Sequence, residues 1–68
     1  MTHYTLECKF NSMGSWKKPL YTGRRSYYNQ TQVNKRIRWL RNEYGEENIA
    51  TRPMSGDPLT TVVYIRMA

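Results

Sequence analysis

The sequence predicts a small α+β domain: an antiparallel sheet in the order β-β-α-β-β, with a single helix packed across one face. Two observations carry this prediction. Residues 29–45 have the apolar spacing of an amphipathic helix, and the segments on either side alternate or are rich in β-branched residues. With 68 residues in the chain, residues 1–68 are expected to form one domain that buries only about 60% of its unfolded surface.

The first hairpin is predicted from an alternating segment followed by a turn. Residues 3–10 place every second side chain on one face, which predicts a half-buried strand with the inward set Tyr4, Leu6, Cys8 and Phe10. Residues 11–15 are rich in turn formers, and residues 16–22 are predicted to return antiparallel to the first strand. Because Pro19 cannot donate to a ladder, this second strand is expected at an edge or beside a bulge.

Residues 23–28 are expected to link the second strand to the helix. Arg24, Arg25 and Ser26 come just before the helix N-terminus, whose free backbone N–H groups favour an anion. This arrangement predicts a place for a phosphate or a carboxylate. The alternative is a mobile, solvated loop that packs Tyr27 or Tyr28 against the start of the helix.

The helix has predicted signals at both ends. Asn29 can accept a hydrogen bond from the N–H of Gln32, and the Gln32 side chain can return one to the N–H of Asn29, as in a capping box. Tyr28 and Val33 occupy the two hydrophobic staple positions. Gly45 follows the last turn, where a residue without a Cβ can take the backbone conformation that ends a helix.

The helix is predicted to have an apolar stripe and a cationic exterior. The stripe follows i, i+4, i+7 and i+11 spacing and consists of Val33, Ile37, Leu40 and Tyr44. Lys35 and Arg38 lie opposite the stripe, and Arg36 and Arg41 lie on its two flanks. Trp39 falls well off the stripe, so we expect either an exposed binding residue or an indole covered by an edge strand or a second chain.

The second hairpin is predicted from residues 48–52 and 59–67, which are separated by a turn between two prolines. Both faces of residues 59–67 carry apolar side chains, which predicts either a central strand or a homodimer contact. The predicted core consists of Tyr4, Leu6, Cys8, Phe10, Leu20, Val33, Ile37, Leu40, Tyr44, Ile49, Val63 and Ile65.

Composition argues against several classes of protein. One cysteine excludes an intramolecular disulfide, and with a single histidine it is too few for a usual Cys/His zinc site. His3 and Cys8 are expected on opposite faces of one strand, so they cannot form a catalytic pair. The longest apolar run, residues 62–65, is far below the ~20 residues of a membrane span. We therefore expect a cytoplasmic protein that is not an enzyme and has no metal site and no cofactor.

Charge is segregated along the chain. Between Cys8 and Asn42 there are nine Lys or Arg residues and no acid, whereas the segment from Glu43 onward holds four acids and two bases. The acid-free segment also contains six of the nine aromatic residues. Since like charges repel one another in the folded state, this segregation favours a role in binding a partner.

Cations interleaved with planar rings predict binding to nucleic acid, either DNA or RNA. Lys and Arg neutralise phosphates, and Trp or Tyr can stack on bases. The predicted binding residues are Lys17, Lys18, Arg24, Arg25, Ser26, Lys35, Arg38 and Trp39.

The alternative hypothesis is a small basic inhibitor or adaptor, of the kind that phages encode, that binds an acidic surface of a host protein or nucleoprotein complex. A concentrated patch of Arg, Tyr and Trp has the composition of an interface hot spot as well as that of a nucleic-acid surface.

Overall fold

The computed structural model describes residues 3–67 and contains one helix and a four-stranded sheet. The elements in chain order are β1 (Tyr4–Asn11), β2 (Pro19–Tyr27), α1 (Gln30–Tyr44), a 3₁₀ turn (Glu46–Asn48), β3 (Ile49–Met54) and β4 (Asp57–Arg66). The predicted α+β class and the β-β-α-β-β order are confirmed.

The predicted purely antiparallel sheet is wrong, because the sheet is mixed. Its strand order is β2-β1-β4-β3, and the two central strands, β1 and β4, run parallel. At 1.5 Å per residue the 15-residue helix is about 22 Å long, long enough to carry the chain back along the sheet. The second hairpin therefore starts at the end where β2 began, and its β4 strand lies parallel to β1.

The predicted helix and its N-terminal cap are confirmed, with one change of partner. Asn29 has an extended backbone, and its side-chain oxygen accepts a hydrogen bond from the N–H of Gln32 at 2.9 Å. The Gln32 side chain accepts from the N–H of Tyr28 at 3.0 Å instead of the N–H of Asn29. Gly45 ends the helix with a positive φ of 91° and donates its N–H to the carbonyl of Arg41.

The second strand differs most from its prediction. It begins at Pro19 and continues to Tyr27, so most of the residues expected to link it to the helix belong to the strand. β2 is an edge strand, and a register irregularity lies between Phe10 and Asn11, opposite Pro19. Both expectations for Pro19 are therefore confirmed.

The core lies between α1 and one face of the sheet. Seven of the predicted residues are buried there: Leu6, Val33, Ile37, Leu40, Ile49, Val63 and Ile65. Tyr4, Cys8, Phe10 and Tyr44 pack against this cluster and are partly buried, and the cluster also includes Tyr27 and Met67 at its margin. The predicted core position of Leu20 is wrong, since this side chain is 67% exposed on the edge strand.

The two-faced character of the last strand is explained by its position in the sheet. β4 pairs with β1 on one side and with β3 on the other, which confirms the prediction of a central strand. Val63 and Ile65 face the helix, whereas Val62 and Tyr64 lie on the opposite side. We call this side the open face because no helix within residues 3–67 covers it.

Candidate functional site

The exterior of α1 is cationic and carries an exposed indole. Lys35, Arg38 and Trp39 are all exposed, and Trp39 exposes 45% of its surface, so its predicted position off the apolar stripe is confirmed. The guanidinium carbon of Arg36 lies 4.2 Å from the centre of the Trp39 ring. Residues 30–42 of the helix include no acid, so no side chain of that stretch offsets the positive charge.

A cleft of about 180 Å³ separates α1 from the edge strand β2. Arg36 lines it from the helix, and Arg25 and Gly23 line it from the strand, with Cys8 and Phe10 on its apolar side. Arg25 is in register with the buried Leu6, which places it on the helix side of the sheet. Arg25, Arg36 and Trp39 thus form one continuous patch, although Arg36 was not among the predicted binding residues.

The Cys8 thiol in this cleft is kept protonated by its surroundings. Burial raises the pKa of Cys8, and the nearby charge of Arg36 only partly opposes that effect. The thiolate is the reactive form of cysteine, so this environment agrees with the expectation that Cys8 packs as a small apolar side chain.

A second groove, of about 610 Å³, runs along the other flank of the helix towards β3. Arg38 and Arg41 line it together with the amides Asn34 and Asn42, and Glu46 contributes a single acid. Arg41, like Arg36, was not among the predicted binding residues. Both arginines are visible in the sequence as the two flanks of the apolar stripe, which is the signal that identifies them.

The remaining predicted residues lie on other surfaces. Strand alternation places the side chains of Arg24 and Ser26 on the open face, opposite to Arg25, because Arg24 is in register with Glu7. Since β2 is an edge strand, Arg24 also borders the cleft on the helix side. Lys17 and Lys18 lie in the loop before β2. The eight predicted residues are therefore distributed over the helix exterior, both faces of β2 and the first hairpin loop.

The residues expected to form an anion site at the start of the helix have a different local geometry from the one predicted. Residues 23–27 are part of an extended strand, so Arg25 lies on the opposite face of the sheet from Arg24 and Ser26. The N–H groups of Tyr28 and Gln32 are also already bonded, to the Gln32 and Asn29 side chains respectively.

The open face combines aromatic rings with cations in a way that the sequence does not show. Trp16, from the loop between β1 and β2, packs its ring 4.2 Å from the guanidinium carbon of Arg66. The Lys9 ammonium nitrogen lies 5.6 Å from the centre of the Tyr64 ring. Residues 16 and 66 are 50 positions apart, so only the folded chain brings them together.

Comparisons with protein-family models, with curated proteins and with solved structures found no significant match. In the part of the chain that the structure describes, no helix is both long enough and apolar enough to cross a membrane. Residues 3–67 contain no group of three or more His, Cys, Asp or Glu side chains placed to hold a metal ion.

Proposed function

We propose that this protein is a non-enzymatic nucleic-acid-binding module that binds through the exterior of α1 and the neighbouring cleft. The observation that carries the proposal is the exposed Trp39, which is stacked with Arg36 on a helix without an acid before Glu43. A large apolar ring held in solvent beside cations suits a ligand with both planar and anionic parts. Nucleic acid has both, because its bases stack and its phosphates are negative.

The cations are distributed to contact a backbone from several directions. Lys35 and Arg38 are exposed on the helix, Arg36 and Arg25 line the cleft from its two sides, and Arg41 lines the opposite groove. If about four to six phosphates are engaged, the logarithm of affinity should fall with the logarithm of salt concentration at a slope of roughly −3 to −5.

The direct experiment is a salt titration of binding to random duplex and single-stranded oligonucleotides. We expect binding at low salt with a slope in the range given above. Affinity that is absent even at low salt contradicts the proposal, and a slope near zero would show that phosphates are not the ligand.

Trp39→Ala tests the aromatic part of the same surface. We expect binding to weaken by about 1–3 kcal/mol, the cost of losing one base–aromatic stack, with little change in melting temperature. Trp39→Phe, which keeps a planar ring, should lie between wild type and Trp39→Ala. A large fall in melting temperature with intact binding would instead make Trp39 a residue of the core or of a dimer contact.

The geometry of β2 favours a second candidate, a protein partner. This edge strand is exposed at each of its seven interior positions, and among the strands that the structure describes it pairs with β1 alone. An acidic segment could add to its free edge as an extra strand, next to Arg24 and Arg25. Purification with nuclease treatment distinguishes the candidates: a protein partner that remains bound after nuclease and moderate salt favours this one, whereas loss of all bound material favours nucleic acid.

A further inference from the structure

A pocket of about 310 Å³ lies on the open face of the sheet, on the opposite side from α1. Trp16, Ala50, Arg52 and Tyr64 line it. Tyr64 is in register with Lys9 on β1 and with Ala50 on β3. Lys9 covers the Tyr64 ring on one side, and on the other side the small Ala50 side chain leaves the space that the pocket occupies.

Trp16 is held in place before any ligand arrives. Its ring stacks with the Arg66 guanidinium, whose Nη2 also donates a hydrogen bond to the backbone carbonyl of Glu47 at 2.7 Å. Trp16 is therefore already ordered in the folded protein, so stacking a planar group against it costs little further side-chain entropy. Trp16 and Tyr64 form the aromatic part of the pocket lining.

The charge around this pocket is predominantly positive. Lys9, Arg52 and Arg66 surround it, and Arg24 lies further along the same face. One acid, Glu7 of β1, lies on this face between Arg24 of β2 and Val62 of β4. Its Oε2 is buried and has no hydrogen-bond partner among residues 3–67. An anionic ligand with a planar group fits this combination better than an uncharged aromatic ligand does.

We propose that this pocket receives one unpaired base of a single-stranded nucleic acid, stacked against Tyr64 and Trp16, with a neighbouring phosphate beside Arg52. A base in a duplex is already stacked and paired, so only a single strand presents one to a pocket of this shape. The inference rests on the proposed function and adds to it a preference for single strands. The cations of the helix exterior contact phosphates of either form and Trp39 stacks on an accessible base, whereas the open-face pocket accepts only a base that is not paired in a duplex.

Ala50→Leu is the most informative variant, because it fills the pocket and leaves every charge and ring in place. Thr22→Leu is the matched control. Thr22 is exposed on the same face and in the same cross-strand row, on the far side of Lys9 from the pocket. The melting temperatures of both variants establish that each one folds.

The experiment measures the affinity of wild type and both variants for oligothymidylate, for a duplex of equal length and for an oligomer of abasic sites. We expect Ala50→Leu to lose roughly 5- to 150-fold in affinity for oligothymidylate, the range for one lost base–aromatic stack. Its affinity for the duplex and for the abasic oligomer should equal that of wild type. Thr22→Leu should behave as wild type with all three probes.

Trp16 itself provides a second readout. In a Trp39→Phe background its fluorescence reports on the pocket alone, and we expect oligothymidylate to quench it and Ala50→Leu to abolish the quenching. Equal quenching by thymidine monophosphate at the same base concentration would overturn the assignment to a strand. Quenching by polyglutamate that is also lost in Ala50→Leu would identify an acidic peptide as the occupant and overturn the proposal.

The two proposals fail in different ways. If wild type binds neither single strand nor duplex at low salt, the proposed function is wrong and the base pocket is wrong with it. If wild type binds both, and Ala50→Leu keeps the wild-type affinity for oligothymidylate, the base pocket alone is overturned and the helix surface stands.

Discussion

The two faces of the sheet are built on different principles. On the helix side, Leu6, Val63 and Ile65 are at most 2% exposed and pack against an apolar stripe. On the open face, burial includes polar atoms: both side-chain polar atoms of Asn11 and the Nε of Arg66 are buried without a hydrogen-bond partner. Unpartnered buried polar atoms oppose folding. The helix side therefore contributes most of the apolar burial that stabilises the fold, whereas the open face, where Val62 is also buried, carries polar groups that oppose folding.

The largest expected effect comes from a cavity on the helix side. Leu40 is 2% exposed, and Leu40→Ala should lower the free energy of unfolding by about 2–5 kcal/mol. Leu20→Ala makes the same chemical change at a side chain that is 67% exposed, and should alter stability by about 0.5 kcal/mol or less. Urea unfolding of both variants measures the contrast. Equal losses would show that Leu20 is covered in solution, for example by a second chain.

A smaller effect is expected on the open face. Arg66→Met removes the stacking on Trp16 and the hydrogen bond to the Glu47 carbonyl, and should cost about 1 kcal/mol in unfolding free energy. Loss of the unpartnered Nε offsets part of this cost. Arg52→Met is the control on the same face, with an expected change of about 0.5 kcal/mol or less. A loss as large as that of Leu40→Ala would contradict the distinction between the faces.

The smallest expected effect depends on pH and concerns the start of β4. The buried Thr60 hydroxyl donates to Asp57 at 2.6 Å, and this bond, followed by one from the Leu59 N–H, holds the pKa of Asp57 below its usual range. A carboxyl whose pKa is lower in the folded state stabilises the fold above its unfolded pKa of about 3.9, and loses that contribution as pH falls through the folded pKa.

Asp57→Asn tests this linkage. We expect the variant to be less stable than wild type near neutral pH, and the difference to shrink as the pH falls from the unfolded pKa of about 3.9 through the lower folded pKa. Chemical unfolding at a series of pH values measures it. A difference that stays constant with pH would show that the Asp57 charge has no part in the stability of β4.

The helix was predictable because its signals are local. The Asn29 cap, the apolar spacing and Gly45 all lie within one segment, and the structure confirms each of them. The exposure of Trp39 follows from the same spacing. Two details differ from the prediction: the Gln32 side chain accepts from Tyr28 instead of Asn29, and Tyr28, predicted as a staple residue, is 68% exposed.

Strand β2 was not predictable over its full length for a physical reason. Its interior is exposed on both faces, so no alternation of apolar and polar residues marks it, and Arg24 to Ser26 read as a loop. The apolar character of Leu20 predicts a core position. Its strand lies at the edge of the sheet beside a register irregularity, and the position receives no cover.

By itself the sequence determined the element order, the helix with its caps, most of the core and the cationic exterior of α1, because each depends on neighbours within a few positions along the chain. The tertiary structure alone decided the parallel pairing of β1 and β4, the placement of the Arg24 and Arg25 side chains on opposite faces of the sheet, and the stacking of Arg66 on Trp16. These features depend on where the helix returns the chain and on which strands then become neighbours, and local side-chain patterns do not carry that information.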